Sequence, residues 1–295
     1  MTNIQYPIGT FLLENAGLTV AANGNLVVLD YDNWGGNVHG LQLVDISNSS
    51  SPVAVSRLDL DSSTMKLMWA DDILYAMQLD RVSMVSVQNG TMTVENEWIV
   101  PAYPYGMAVA NNVLYVSTEL GVYVIDVENW EETAVLEVSK GIPGNLAIDG
   151  NRMYLCGQGL GLTTYDMSQP SAPVELGTTA FDLDFSPMIS AKGTLVAVSL
   201  GGDGMMILDA QEPNNVQIEG VIPVEGHAGE LIFDNDFAAL GAGDAGVYQI
   251  RGVGIDDFSI LSLCKTENYI NGVSITNSLV IASGYEYGFS ICERI

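Results

Sequence analysis

Basic residues are scarce in this sequence. Nine Lys and Arg face 36 Asp and Glu in 295 residues, a formal charge of −27, yet only 15% of residues are charged. The acidity therefore comes from missing bases rather than surplus acids. Nucleic acid and anionic membrane surfaces present phosphate and need basic patches to meet it, so neither is expected as a partner. No apolar run approaches the roughly 18 residues of a membrane span, so no membrane insertion is expected. Cysteine is limited to Cys156, Cys264 and Cys292. An odd number without C-x-x-C spacing is neither a disulfide framework nor a zinc pattern. Each cysteine sits in an apolar, strand-like run, where a free thiol is expected as a small buried hydrophobe. The start, Met1 to Pro7, has no basic n-region and no apolar h-region, so the sequence as written reads as cytoplasmic without a signal peptide. No stretch sustains a helical apolar face. What is present is 48% hydrophobic residues, enough for a large core.

The hydrophobic residues are organised by a repeat. The segment Gly121-Val122-Tyr123-Val124-Ile125-Asp126-Val127 has relatives beginning at Gly40, Gly161 and Gly204, with weaker copies at Arg81, Gly246 and Gly288. The sixth position falls at 45, 86, 126, 166, 209, 251 and 293, intervals of 40 to 43 residues. Within a unit the pattern alternates with period two. In the third unit, Gly106–Ala110 meets a turn at Asn111-Asn112, then Val113–Ser117, Gly121–Val127 and Ala134–Val138. Those are four short strands rich in Val, Ile and Tyr. The turn recurs at Asn23-Gly24, Asp71-Asp72, Gly150-Asn151, Lys192-Gly193, Asn235-Asp236 and Asn277-Ser278.

Four strands per period of 40–45 residues predict an all-β, seven-bladed β-propeller. The blades are expected at approximately 17–60, 61–102, 103–142, 143–183, 184–225, 226–266 and 267–295, as a single domain. The seventh unit lacks its fourth strand. Tyr6 to Phe11 reads like Ala172 to Thr178, the fourth strand of unit four, and residues 1–13 are expected to complete the last blade.

The phrases Leu43-Val44-Asp45-Ile46, Val124-Ile125-Asp126-Val127 and Ile207-Leu208-Asp209-Ala210 resemble the LVIVD repeat, as do the tails Ser47–Pro52 and Ser168–Pro173. That family comprises prokaryotic β-propellers, often exported or on the cell surface, so the resemblance implies an exported or cell-surface alternative to the cytoplasmic reading. It carries no catalytic assignment. Ser86, Arg251 and Glu293 replace the repeated aspartate in units two, six and seven. Where present, Asp45, Asp126, Asp166 and Asp209 end a strand before a turn and are expected to accept backbone N–H bonds there.

A propeller presents chemistry where its inner strands start and where the second strand turns into the third. The longest such turn runs from Asp30 through Asp32 and Trp34 to His39. Its counterparts carry Gln78, Asp80 and Arg81; Glu119; Gln158; Asp203; Asp244; and Tyr285, Glu286 and Tyr287. The inner-strand starts add Glu14, Lys66, Tyr103, Tyr105, Asn145, Asp184, His227, Glu230, Glu267, Tyr269 and Asn271. Carboxylates among Tyr and Trp faces suit a cationic group or a stacked sugar. The ligand-binding candidates are Asp30, Asp32, Trp34, His39, Asp80, Arg81, Tyr105, Glu119, His227, Tyr285, Glu286 and Tyr287. Arg81, among acids, is expected to be an ion-pair partner rather than an anion receptor.

Two histidines exclude a four-histidine iron site. Asp30-x-Asp32-x-Trp34-Gly35 begins like a calcium loop but lacks its later oxygen ligands, so no metal and no cofactor is expected. The glycine-rich segments Gly201–Gly204 and Gly241–Gly246 join strands and read as turns, not phosphate loops. These features predict a monomeric, non-catalytic scaffold that binds a protein or a small neutral or cationic ligand at one mouth of the channel. The alternative is a hydrolase or lyase acting on a glycan or lactone through mouth carboxylates and a histidine.

Overall fold

Alternating apolar residues, punctuated by Gly, Asn and Asp, make each repeat unit a meander of four antiparallel strands. A computed structural model describes residues 2–32, 38–138, 140–252, 258–284 and 287–295. Among these there are seven sheets and no helix, and the fold class is the seven-bladed β-propeller. The chain forms two compact units, residues 1–99 with 224–295, and residues 100–223.

The first unit holds four blades. Blade one comprises Ala16–Asn23, Leu26–Asp32, His39–Asp45 and Val53–Leu60. Blade two comprises Thr64–Ala70, Ile73–Gln78, Arg81–Gln88 and Thr91–Ile99. Blade six comprises Leu231–Asp234, Phe237–Gly241, Val247–Arg251 and Ser259–Cys264. Blade seven has Ile270–Thr276, Leu279–Gly284 and Gly288–Glu293, with Gly9–Leu12 as its outer strand. The N-terminal segment thus completes blade seven as expected, pairing Gly9 with Ile291 and Leu12 with Gly288. It does something more: Asn3–Gln5 adds a fifth, parallel strand to blade six, with Gln5 opposite Cys264.

The second unit holds three blades. Blade three is Pro104–Ala110, Val113–Thr118, Gly121–Asp126 and Glu131–Leu136. Blade four is Leu146–Asp149, Arg152–Gly157, Gly161–Asp166 and Val174–Thr179. Blade five is Ile189–Lys192, Leu195–Ser199, Met205–Asp209 and Gln217–Ile222.

Three recurring details explain the repeat. The turn after each inner strand contains a residue with left-handed φ, among them Gly24, Asp71, Asn112, Gly150, Gly193, Asn235 and Asn277, which is why Asn, Asp and Gly recur there. The repeated aspartates bind their own turns: Asp45, Asp126, Asp166 and Asp209 each accept the N–H of the residue two further on, at 2.7 to 2.9 Å. Blades one to six each carry one unpaired extra residue in the outer strand, for example Val55 and Thr133, a bulge that adds twist.

The core lies between blades. Leu29 and Val44 of blade one pack with Ile281 and Ile291 of blade seven, and Val28 and Leu43 face Leu74 and Val85 of blade two. Cys156 is the buried thiol foreseen, and burial pushes it up to about 12. The expectation for the other two cysteines is corrected. Cys264 and Cys292 form a disulfide joining blades six and seven. They lie 28 residues apart, so only the lateral packing of the two blades makes them neighbours.

Candidate functional site

In every blade the inner strand starts, the second strand ends and the third begins at one end, here called the upper end. In the first unit, neighbouring blades are stitched together there by side chains. Val273 N–H of blade seven donates to Glu230 Oε2, just ahead of blade six, at 3.0 Å. Ser283 Oγ of blade seven donates to Leu18 O of blade one at 3.3 Å. Leu67 N–H of blade two donates to Thr19 Oγ1 of blade one at 3.0 Å. Inner-strand bulges at Met65 and Asn271 turn the backbone at the same level.

Asp30 belongs to the wall of this site rather than its surface. The inner strand of blade one leaves its partner between Ala16 and Val20, and the Asp30 carboxylate fills the gap, accepting Thr19 N–H at 2.9 Å. Gly17 leaves room for that carboxylate; a Cβ there would collide with it. Burial is the largest influence on Asp30, and it raises the carboxyl to about 7 against the pull of the backbone N–H bonds and with a push from Asp32.

Asp32 and His39 face each other across the second and third strands, with Oδ1 3.1 Å from Nδ1. Ser63 Oγ lies 3.4 Å from the same Nδ1. A nucleophile relay needs the carboxylate on one ring nitrogen and the hydroxyl on the other. Both partners here address one nitrogen, so this trio does not form such a relay. Arg81 bonds Asp61 at 2.9 Å and Asp80 at 3.0 Å, with Glu97 at 3.4 Å. Its guanidinium is occupied, as expected, and in return holds the Asp80 carboxyl below its ordinary range, helped by Ser62.

The remaining candidates are dispersed. Tyr287 is exposed, with its carbonyl accepting Leu13 N–H at 3.0 Å. His227 is exposed ahead of blade six. Tyr105 and Glu119 belong to blade three, in the second unit, where Tyr105 meets Tyr103 edge-on at 5.3 Å. Trp34, Tyr285 and Glu286 lie outside the described residues. Among the described residues no three His, Cys, Asp or Glu side chains gather as a metal site.

The most informative pair is one absent from the twelve candidates. Lys66 follows the bulge that opens blade two, and Glu230 precedes blade six. Each keeps partial solvent contact but is enclosed by protein. Burial is the largest influence on both, lowering the Lys66 ammonium and raising the Glu230 carboxyl, while their mutual attraction opposes each shift. They sense each other's charge, yet among the described residues no ion pair within 4.0 Å joins them. Glu230 is anchored by Val273 N–H, whereas Lys66 has no hydrogen-bond partner among the described residues. The sequence held a faint signal, since a lysine at an inner-strand start is conspicuous where bases number nine. Only packing brings it within reach of the charge of a glutamate that precedes another blade.

Comparison with known proteins places the chain by fold. A model of the LVIVD repeat matches residues 36–59 and 140–180. No curated protein matches in sequence. Among solved structures, a hydrazine synthase from Kuenenia stuttgartiensis is similar, with a TM-score of 0.74 at 12% identity over 95% of this chain and 96% of that one. The computationally designed protein Ika8 gives 0.68 at 11% identity over 99% of both. BamB from Moraxella catarrhalis gives 0.58 at 12% identity over 94% and 82%. At such identities the likeness is one of fold alone, and the named roles differ.

Proposed function

We propose that this chain, an LVIVD-repeat β-propeller, is a binding protein for a small ligand of no net charge that carries both hydrogen-bond donors and acceptors. The ligand sits at the upper end of blades six, seven, one and two, between Lys66 and Glu230. The observation behind this reading is the half-buried Lys66 ammonium, without a hydrogen-bond partner among the described residues, within reach of the charge of the Glu230 carboxylate that Val273 N–H anchors. Withdrawing an ammonium from part of its water costs energy unless it is paired, and a half-buried pair that stops short of contact leaves bonding capacity on both groups. A sugar hydroxyl pair, or the amino and carboxylate ends of a zwitterionic peptide, completes both bonding sets at once. Arg81 is already committed to three acids and adds no anion-binding capacity.

The test is a thermal-shift and calorimetric panel of hexoses, disaccharides and zwitterionic dipeptides at physiological salt. At least one class is expected to raise the melting temperature of the wild-type protein. Lys66→Met and Glu230→Gln are expected to abolish that shift while the free proteins stay folded. A panel without a hit, or a hit indifferent to both substitutions, overturns the proposal.

A further inference from the structure

In the second unit the upper end has a different character. The segments leading into blades four and five are fixed by backbone bonds. Ile142 N–H donates to Gln158 O at 2.9 Å, Gly159 N–H to Leu183 O at 3.2 Å, and Ser199 N–H to Met188 O at 2.9 Å. Ser117 Oγ donates to Gly144 O, tying blade three to the start of blade four. The upper end of these three blades nevertheless turns large apolar side chains outward. Leu120, in the turn between the second and third strands of blade three, is 59% exposed, Tyr103 48% and Phe185 42%. Ile142 and Met188 are exposed alongside them. Several large apolar groups at one end of three adjacent blades, on backbone already bonded within the fold, mark an interaction surface rather than scattered surface hydrophobes.

Charge identifies the occupant. Glu119, Asp182, Asp184 and Asp203 are exposed at this same end, with Lys140 as the accompanying base. An acid-rimmed apolar surface repels phosphate-bearing partners, and a second copy of a chain with a charge of −27 is repelled as well. The complementary partner is apolar and basic.

We propose that the upper end of blades three, four and five is a docking surface for a polypeptide segment that alternates apolar and basic side chains. This goes beyond the small-ligand reading and rests on none of its residues. The apolar groups of the segment cover Leu120, Phe185 and their neighbours, while its ammonium and guanidinium groups meet the carboxylate rim.

The test uses three fluorescein-labelled twelve-residue peptides, alternating Lys with Leu, Lys with Ser, and Glu with Leu, read by fluorescence anisotropy at physiological salt. The Lys–Leu peptide is expected to bind the wild-type protein at least about tenfold more tightly than either comparison peptide. The charge-neutral double variant Leu120→Ser/Phe185→Ser should lose about tenfold in affinity for it, as should Tyr103→Ser in part. Because all three side chains are exposed, unchanged melting temperatures should accompany the loss, and Lys66→Met should bind the peptide normally. Equal binding of the Lys–Leu peptide to wild type and double variant would show only diffuse charge attraction and overturn the proposal. So would equal binding of the Glu–Leu peptide. Sedimentation of the wild type as a dimer that the double variant dissolves would assign the surface to a second copy and overturn it too.

Discussion

Cys264, in the outer strand of blade six, is disulfide-bonded to Cys292, in the third strand of blade seven. The N-terminal segment bridges the same two strands. Gln5 pairs with Cys264, and Gly9 pairs with Ile291 beside Cys292. Gln249 adds a polar stitch, donating to Gln5 Oε1 at 2.9 Å and Glu293 O at 2.7 Å. Two blades are therefore held side by side by a covalent bond and by a strand that visits both.

The two fasteners should be separable. Cys292→Ser is expected to cost about 3.5 kcal/mol in denaturant unfolding, from the chain entropy restored to a loop of this length. Protein made under reducing conditions should titrate with three thiols, and after oxidation with one, the buried Cys156, which reacts only on unfolding.

Deleting residues 2–12 should be worse than losing the disulfide. It bares the outer edge of blade six and the third strand of blade seven together, and unpaired edges aggregate. A sharp fall in melting temperature and visible self-association by light scattering are expected. An unchanged melting temperature would show that these strands contribute nothing to closure of either blade.

Asp30 gives a pH dependence with a definite sign. Its folded-state carboxyl lies near 7, above the ordinary value of 3.8, so the folded protein keeps a proton that the unfolded chain has lost. Stability from this group is full below about pH 4 and is lost as pH rises through about 7, amounting to roughly 4 kcal/mol over some three pKa units. Asp30→Asn keeps an acceptor for Thr19 N–H and cannot ionise. Its unfolding free energy should therefore decline less than that of the wild type between pH 4.5 and 7.5, and a parallel decline in both proteins would refute the assignment.

The glycine that opens the third strand has a steric duty. Gly161 has φ of +82° and Gly288 has φ of +105°. A Cβ at either would run into the outer-strand carbonyl, of Thr179 or of Phe11. Gly161→Ala should destabilise by about 1–3 kcal/mol, whereas Gly150→Ala, at a turn with open space around it, should cost less. Matched chemical denaturation of the two variants checks the order.

In blade seven, one of the four blades whose upper ends frame the proposed small-ligand site, Tyr287 is an exposed ring. With a ligand from the panel in hand, Tyr287→Ala should weaken binding by about 1–3 kcal/mol if the ring supplies stacking area. Calorimetry with the free protein's stability unchanged provides the measure.

The blade count, the strand order within each blade, the turn chemistry and the capping role of Asp45, Asp126, Asp166 and Asp209 were all determined by the sequence alone. Each depends on contacts between residues only a few positions apart, and local contacts leave a periodic trace. The outer strand of blade seven was legible because residues 6–11 resemble another blade's strand. The parallel strand Asn3–Gln5 was not, since parallel pairing needs no adjoining turn and three residues carry no pattern. Tertiary structure alone decided the Cys264–Cys292 bond, the withdrawal of Asp30 into a bulge and the electrostatic coupling of Lys66 to Glu230. In each case the partners are brought together by packing of strands or blades side by side, and alternation along one strand says nothing about which residue its neighbour presents.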